Sequence, residues 1–174
     1  LGFSVAVRAH SWFVADDYTG FWFATTRSLA DFLTTPIDVH FLPLHRLATW
    51  LIYTIAPLNF DVALFVMCVF HVAGVWMLYR TLELIDESSL NGPLSALCGT
   101  NYYAAVLLLW WTAGIARFPY VLFSLATIYQ YLKFRQDGSR LRVLAVVACL
   151  VSAAAFFTKA LLIPGFLGAL ELAL

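Results

Sequence analysis

The feature that most constrains this chain is a series of long segments with almost no charged residue. The longest covers residues 88–116, and others cover 62–82, 118–132 and 143–158. Over the whole chain 63% of the residues are hydrophobic and 11% are charged, whereas an average soluble domain has roughly 25% charged residues. Ten acidic and ten basic residues are too few to cover a soluble domain of 174 residues. The surplus apolar surface predicts contact with lipid or with other membrane helices.

These segments have the length that a membrane crossing requires. A spanning helix needs roughly 20 mostly apolar residues, because the hydrocarbon core is about 30 Å thick. The segment 118–132 meets this length if its helix begins near Gly114 or extends to Phe134. Residues 1–15 are predicted as the end of an earlier span, and residues 161–174 as the start of a later one. We therefore expect an all-α polytopic membrane protein with about four complete and two partial transmembrane helices, in a single-domain fragment of a longer protein.

Basic residues predict the orientation in the membrane, because positive charge in short loops favours the cytoplasmic side. The densest basic group consists of Lys133, Arg135, Arg140 and Arg142. With this group inside, residues 16–61 form a long outer loop, ahead of the transmembrane helices of 62–174. The net charge is zero, so nothing favours nucleic acid as a partner.

The predicted outer loop is rich in aromatic and aliphatic residues. Residues 18–33 contain a dense aromatic run, and residues 41–55 place apolar side chains at helical spacing with His45 and Arg46 elsewhere on the helix. Both patterns predict amphipathic helices that lie in the membrane interface. The segment Thr34-Thr35-Pro36 separates them.

An acidic pair follows the predicted first span. Asp16 and Asp17 stand between an apolar end and an aromatic run, which should hold both carboxylates at the membrane surface. A partly desolvated carboxylate has a raised pKa and suits general-base chemistry. Adjacent acids also suit a divalent cation. A helix cap or a solvated loop explains the same pair without any function.

A second polar group surrounds Pro43. Its members are Asp38, His40, His45 and Arg46. The planar guanidinium of Arg46 suits a phosphate headgroup, and ordinary interfacial anchoring explains it equally well. Imidazole and carboxylate groups here would complete a metal shell with Asp17. No ligand set has diagnostic spacing, so the need for a metal stays open.

Two further cations lie near predicted outer helix ends. Lys159 interrupts an apolar region before Pro164, and Arg117 precedes Pro119 in a short turn. Charges within a membrane are costly and mark functional sites by default, yet a lysine near a helix end also reaches water by snorkelling. His71, inside a predicted span, predicts a hydrogen bond between helices.

Three motifs together resemble the C-type (multi-spanning) glycosyltransferases, which use lipid-phosphate sugars. The likeness is strongest to the protein O-mannosyltransferase and aminoarabinose transferase type. The motifs are the acid pair in Ala15-Asp16-Asp17-Tyr18, the outer-loop segment 40–45 (HFLPLH), and residues 156–164 (FFTKALLIP). The last is similar to the family's Lys-Glu-x-x-x-x-x-Pro stretch, except that Ala160 stands where glutamate is often found. The likeness covers nearly the whole chain.

The resemblance implies a mechanism in a multi-pass protein of the bacterial plasma membrane. A sugar on a polyprenyl phosphate would pass to an acceptor hydroxyl of a glycan, lipid or protein at the outer face. Asp17 or Asp16 would take the hydroxyl proton during attack on the anomeric carbon, with inversion. The residues expected to bind the substrate, in part by stabilising the departing phosphate, are His40, His45, Arg46, Arg117 and Lys159.

Two other classes of protein stay open. Ala160 and the short length favour a non-catalytic membrane subunit or scaffold with a transferase-like fold. A secondary transporter would place charged or broken-helix sites near the membrane midplane, where the chain offers only His71. Binding of a lipid-phosphate sugar separates the enzyme from the scaffold, and flux in proteoliposomes would identify a transporter.

Overall fold

A computed structural model of the chain describes residues 12–36 and 40–173, and every regular element in that part is helical, as predicted. Most of the predicted first partial span, in residues 1–15, lies outside the described residues, as does Asp38. The described helices are α1 (Ala15–Thr26), α2 (Leu29–Thr34), α3 (Pro43–Ile55), α4 (Phe60–Ile85), α5 (Asn91–Gly99), α6 (Tyr102–Leu108), α7 (Trp111–Asp137), α8 (Arg140–Phe156) and α9 (Ile163–Ala173), with a 3₁₀ turn at Thr158–Leu162.

The longest apolar run forms α4. Asn59 caps its start by accepting the N–H of Val62 at 3.3 Å, and the helix continues for 26 residues. At about 1.5 Å per residue this length exceeds a hydrocarbon core of about 30 Å. Among residues 12–36 and 40–173, α4 is the one helix long and apolar enough to cross a membrane. The span predicted at 62–82 is thus confirmed as a helix of sufficient length.

The uncharged segment 88–116 does not form the single span that its composition predicts. The chain interrupts it twice, so that α5, α6 and the first turns of α7 share its residues. Asn101 explains the first interruption, because its side chain caps α6 by accepting the N–H of Ala104 at 3.0 Å. The predicted third span, residues 118–132, is part of α7. This helix has 27 residues and extends beyond both ends of that uncharged segment. The fourth corresponds to α8, which has 17 residues.

Side-chain contacts show that α4 and α7 run parallel. The ring of His71 lies 4.8 Å from that of Phe118, and one turn later Gly74 faces the backbone of Leu122. The α5–α6 segment returns along α4, because His71 Nε2 lies 2.7 Å from the carbonyl oxygen of Gly99. This contact confirms the predicted hydrogen bond of His71 between helices.

The remaining helices complete the bundle. Arg142 at the start of α8 donates to Gln130 of α7 at 2.7 Å, and the ring of Phe157 packs on that of Tyr120, so α8 is antiparallel to α7. α9 then runs parallel to α7, because Glu171 near its end bonds with Tyr131. Helices α1 and α3 pack over the end of the bundle where α7 begins.

The segment predicted as the outer loop is helical in its described residues, but it contains three helices instead of the two predicted. Arg27 and Ser28 divide the first predicted helix into α1 and α2, since Ser28 caps α2 by accepting the N–H of Asp31 at 3.2 Å. On α3 the polar residues His45 and Arg46 are buried, whereas Ile55 is 74% exposed. The buried face of this helix therefore contains polar side chains beside the apolar Ile52, and apolar side chains lie on its exposed face.

Apolar stripes also cover the outside of the longer helices. Exposed residues at helical spacing are Phe65, Val69, Val72 and Trp76 on α4, and Leu144, Val147 and Val151 on α8. Exposed apolar surface of this extent marks contact with a membrane or with other protein. The described part of the chain thus has apolar surface that fits contact with lipid or with another protein.

Gly114 of α7 leaves no room for a side chain against α4 and α6. A Cβ atom there would lie 2.5 Å from the carbonyl oxygen of Leu107 and closer still to Sδ of Met67. We expect Gly114→Ala to lower the free energy of unfolding by about 1–3 kcal/mol, because a packed interface resists added volume. Thermal unfolding in detergent measures this effect. Gly168→Ala is the control, since its Cβ would meet nothing within 4 Å, and equal losses in both variants would contradict the close packing.

Candidate functional site

A cavity of about 350 Å³ lies between α4, the α5–α6 segment and α7. One end is apolar and is lined by Val75, Leu78, Val121 and Leu125, while Arg117 and Lys159 lie at the other. With a rise of about 1.5 Å per residue, the distance from Arg117 to Leu125 gives the cavity a length of about 12 Å along α7. The cavity is therefore elongated, with an apolar interior and a polar mouth.

Two cations at the mouth share one aromatic ring. The ring centroid of Phe157 lies 5.6 Å from Cζ of Arg117 and 5.7 Å from Nζ of Lys159. Arg117 also lies 5.5 Å from the ring centroid of Tyr103. In residues 12–36 and 40–173 no ion pair joins either cation to a carboxylate. The mouth thus presents two positive charges that an anion would neutralise.

His40 connects the outer segment to the mouth. Its Nδ1 lies 3.0 Å from the hydroxyl oxygen of Thr158, the residue before Lys159. The sequence motifs that contain His40 and Lys159 are thus neighbours in space, although they are far apart along the chain. Sequence reasoning gave no role to Thr158 or to Phe157, because neither carries a charge.

Asp17 is a buried carboxylate at the junction of α1 and α7. Its Oδ2 accepts the backbone N–H of Val14 at 2.9 Å, and its Oδ1 accepts the N–H of Thr112 at 2.7 Å and the Thr112 hydroxyl. Burial raises the pKa of Asp17 above its ordinary value, and these hydrogen bonds oppose the rise. Asp16 is exposed, whereas Asp17 is fully buried, so the two acids do not share the exposed position expected of the pair.

His45 of α3 contacts the same threonine. Its Nε2 lies 3.3 Å from the carbonyl oxygen of Thr112, and because a carbonyl only accepts, Nε2 carries the proton. Nδ1 is buried and has no hydrogen-bond partner in the described part of the chain. Burial lowers the pKa of His45 from 6.5 to about 4, so the ring is neutral at neutral pH. Its position therefore gives no support to the expected role in binding a phosphate.

Arg46 is buried between α2 and α3. Its Cζ lies 4.8 Å from the ring centroid of Phe32, and Nη2 donates to the carbonyl oxygen of Pro36 at 3.1 Å. Burial lowers the pKa of Arg46, and the nearby charge of Arg27 lowers it further. Arg46 does not line the cavity, so its contacts fit the anchoring interpretation better than the phosphate-binding one.

The predicted site residues thus lie in separate places. Arg117 and Lys159 meet at the cavity mouth, with His40 beside them, while Asp17 and His45 meet at Thr112. Nothing in the sequence points to Thr112, because it is an uncharged residue within a long apolar segment. Across residues 12–36 and 40–173, no three His, Cys, Asp or Glu side chains are grouped to hold a metal ion.

Comparisons with protein-family models, with curated proteins and with solved structures give no match to this chain. The likeness to the multi-spanning glycosyltransferases therefore rests on the motifs of the sequence.

The buried ring of His45 makes stability depend on pH. Below pH 6.5 the unfolded chain binds a proton at His45, whereas the folded chain stays neutral there until about pH 4. The free energy of unfolding should therefore fall as the pH is lowered through this range, by about 3 kcal/mol for this group. We expect the unfolding temperature of wild type in detergent to fall more steeply with decreasing pH than that of His45→Gln.

Asp17 titrates with the opposite sign. Its raised pKa means that the folded chain holds this proton to higher pH than the unfolded chain, so acid stabilises the fold through Asp17. Asp17 is present in both proteins, and the comparison therefore isolates His45. Equal pH slopes in wild type and His45→Gln would contradict a buried neutral imidazole.

Proposed function

We propose that this chain belongs to a membrane glycosyltransferase that moves a sugar from a polyprenyl-phosphate donor to an acceptor hydroxyl. The cavity with Arg117 and Lys159 at its mouth carries the proposal. Its elongated apolar interior suits a hydrocarbon chain, and its cations suit a phosphate. A phosphorylated lipid has both of these parts, joined end to end.

We further propose that the helices from α4 to α9 cross or enter the membrane several times. Their alternating directions and their exposed apolar stripes support this arrangement. α1 and α3 would lie at the outer face, where α7 begins. The basic group around Arg140 and Arg142 lies at the other end of α7, about 40 Å away at 1.5 Å per residue. This separation agrees with a cytoplasmic basic group.

In the proposed reaction the acceptor oxygen forms a bond to the anomeric carbon as the bond from that carbon to the lipid phosphate breaks. Asp16 takes the proton of the acceptor hydroxyl, because it is exposed and lies next to Asp17 on α1. Arg117 and Lys159 stabilise the charge that develops on the departing phosphate. Asp17, whose oxygens are occupied by Val14 and Thr112, holds α1 in place.

One observation favours the alternative of a non-catalytic membrane subunit. Ala160, at the position where the family often has glutamate, is fully buried and packs with Ala153, Ile163 and Leu167. A glutamate would not fit this apolar cluster without a partner for its charge. A protein of this kind would keep the transferase-like fold without turnover.

The first prediction of the proposal concerns binding. We expect Arg117→Gln and Lys159→Gln each to weaken binding of polyprenyl phosphate to the full-length protein in lipid nanodiscs by about tenfold, because each removes one charge-assisted contact. Arg140→Gln removes the same charge at the other end of α7 and should leave the dissociation constant unchanged. Uncharged polyprenol should bind weakly and equally to all four proteins. Equal affinity of the variants and wild type for the phosphate would contradict this site.

The second prediction concerns turnover. We expect Asp16→Asn to abolish release of polyprenyl phosphate from polyprenyl-phosphate mannose or aminoarabinose in membranes, with the unfolding temperature and lipid binding unchanged. Asp86→Asn, which changes an exposed carboxylate at the C-terminal end of α4, is the matched control and should retain activity. Normal release by Asp16→Asn would remove Asp16 as the base. Binding without any release by wild type would favour the non-catalytic subunit.

A further inference from the structure

Thr112 of α7 forms hydrogen bonds with α1 and with α3 through three of its polar groups. Its amide N–H and its hydroxyl both donate to Asp17 of α1, and its carbonyl oxygen accepts from His45 of α3. α1 and α3 also touch each other there, since a Cβ on Gly20 would lie 3.5 Å from Cγ2 of Thr49. Helices α1, α3 and α7 therefore meet at one residue, which binds α1 through its backbone N–H and its hydroxyl and α3 through its backbone carbonyl.

The position of Thr112 explains why Asp17 turns inward. The first N–H groups of an α-helix have no partner within the helix, and Trp110, the residue before α7, provides no side-chain cap. Asp17 supplies this cap from α1. A carboxylate is also favoured at a helix N-terminus by the helix dipole. The contact thus satisfies α7 and ties α1 to it.

We infer that Thr112 is a positioning residue that fixes α1 and α3 against the first turn of α7. Asp16 is adjacent to Asp17 on α1, and Arg117 follows Thr112 on α7 within two turns. The contacts of Thr112 with α1 and α3 act as a clamp. Because α7 is a continuous helix from Thr112 to Arg117, this clamp keeps the exposed carboxylate of Asp16 at a fixed distance from the cation at the cavity mouth. This inference rests on the proposed function, in which Asp16 acts on the attacking acceptor oxygen and Arg117 on the departing phosphate, on opposite sides of the anomeric carbon.

The helix positions provide a test that needs no activity. Spin labels at positions 19 on α1 and 136 on α7, both exposed, report the distance between the two helices after the native cysteines Cys68, Cys98 and Cys149 are replaced. Thr112→Val removes the hydroxyl with little change in volume and should broaden the distance distribution. Thr112→Ser keeps the hydroxyl and should restore the narrow one.

Thr127→Val is the matched control, because Thr127 is a fully buried threonine of the same helix whose hydroxyl donates to the carbonyl oxygen of Phe123. It should leave the distribution as in wild type. A Thr112→Val distribution as narrow as that of wild type would overturn the positioning role.

Turnover provides the second readout. Thr112→Val should lower release of polyprenyl phosphate from polyprenyl-phosphate mannose by about tenfold, because small displacements of reacting groups are costly, with polyprenyl phosphate binding unchanged. Thr112→Ser should recover most of the rate. A loss of binding in Thr112→Val that matches the loss of rate would overturn the positioning role. A broadened distribution in a protein whose wild type shows no turnover would support the clamp and contradict the proposed function.

Discussion

A carboxylate without water is costly unless hydrogen bonds replace its hydration, and Asp17 obtains those bonds from two places at once. Val14 supplies one from its own helix start, and Thr112 supplies two from the first turn of α7. Helix α1 is therefore held to the start of α7 by the hydrogen bonds of Asp17 as well as by apolar contact. The positions of Asp16, His45 and the start of α7 all depend on these bonds.

Large apolar side chains lie on the surface of the described helices as well as in their core. α3 exposes Leu51 and Ile55, and α4 exposes a stripe of large apolar side chains. Such a surface fits contact with lipid or with other protein. The interior is mainly an apolar core around Met67 and Trp111, and a few polar groups such as Asp17 are buried as well.

Hydropathy was sufficient to predict the all-α class and the helix at 62–82, and the spacing of apolar residues predicted helices within residues 16–61. The hydrogen bond of His71 followed from a single polar group in an apolar run. The division of residues 88–116 into α5, α6 and the start of α7 was not predicted, because a count of charged residues does not detect an uncharged helix cap such as Asn101. The inward direction of Asp17 was missed because its partner Thr112 has no distinguishing pattern. For α3, periodicity identified two faces but not which one is buried, since that depends on the solvent.

The interruption between α5 and α6 has a consequence for the cavity beside it. Backbone that leaves the helical ladder within a bilayer must find other partners or adjoin a hollow space, and His71 satisfies the carbonyl of Gly99 while Asn101 caps the next helix. If residues 99–102 continued as one straight helix, both hydrogen bonds would be lost and one wall of the cavity would be removed. The irregular backbone and this wall of the cavity therefore depend on the same two hydrogen bonds.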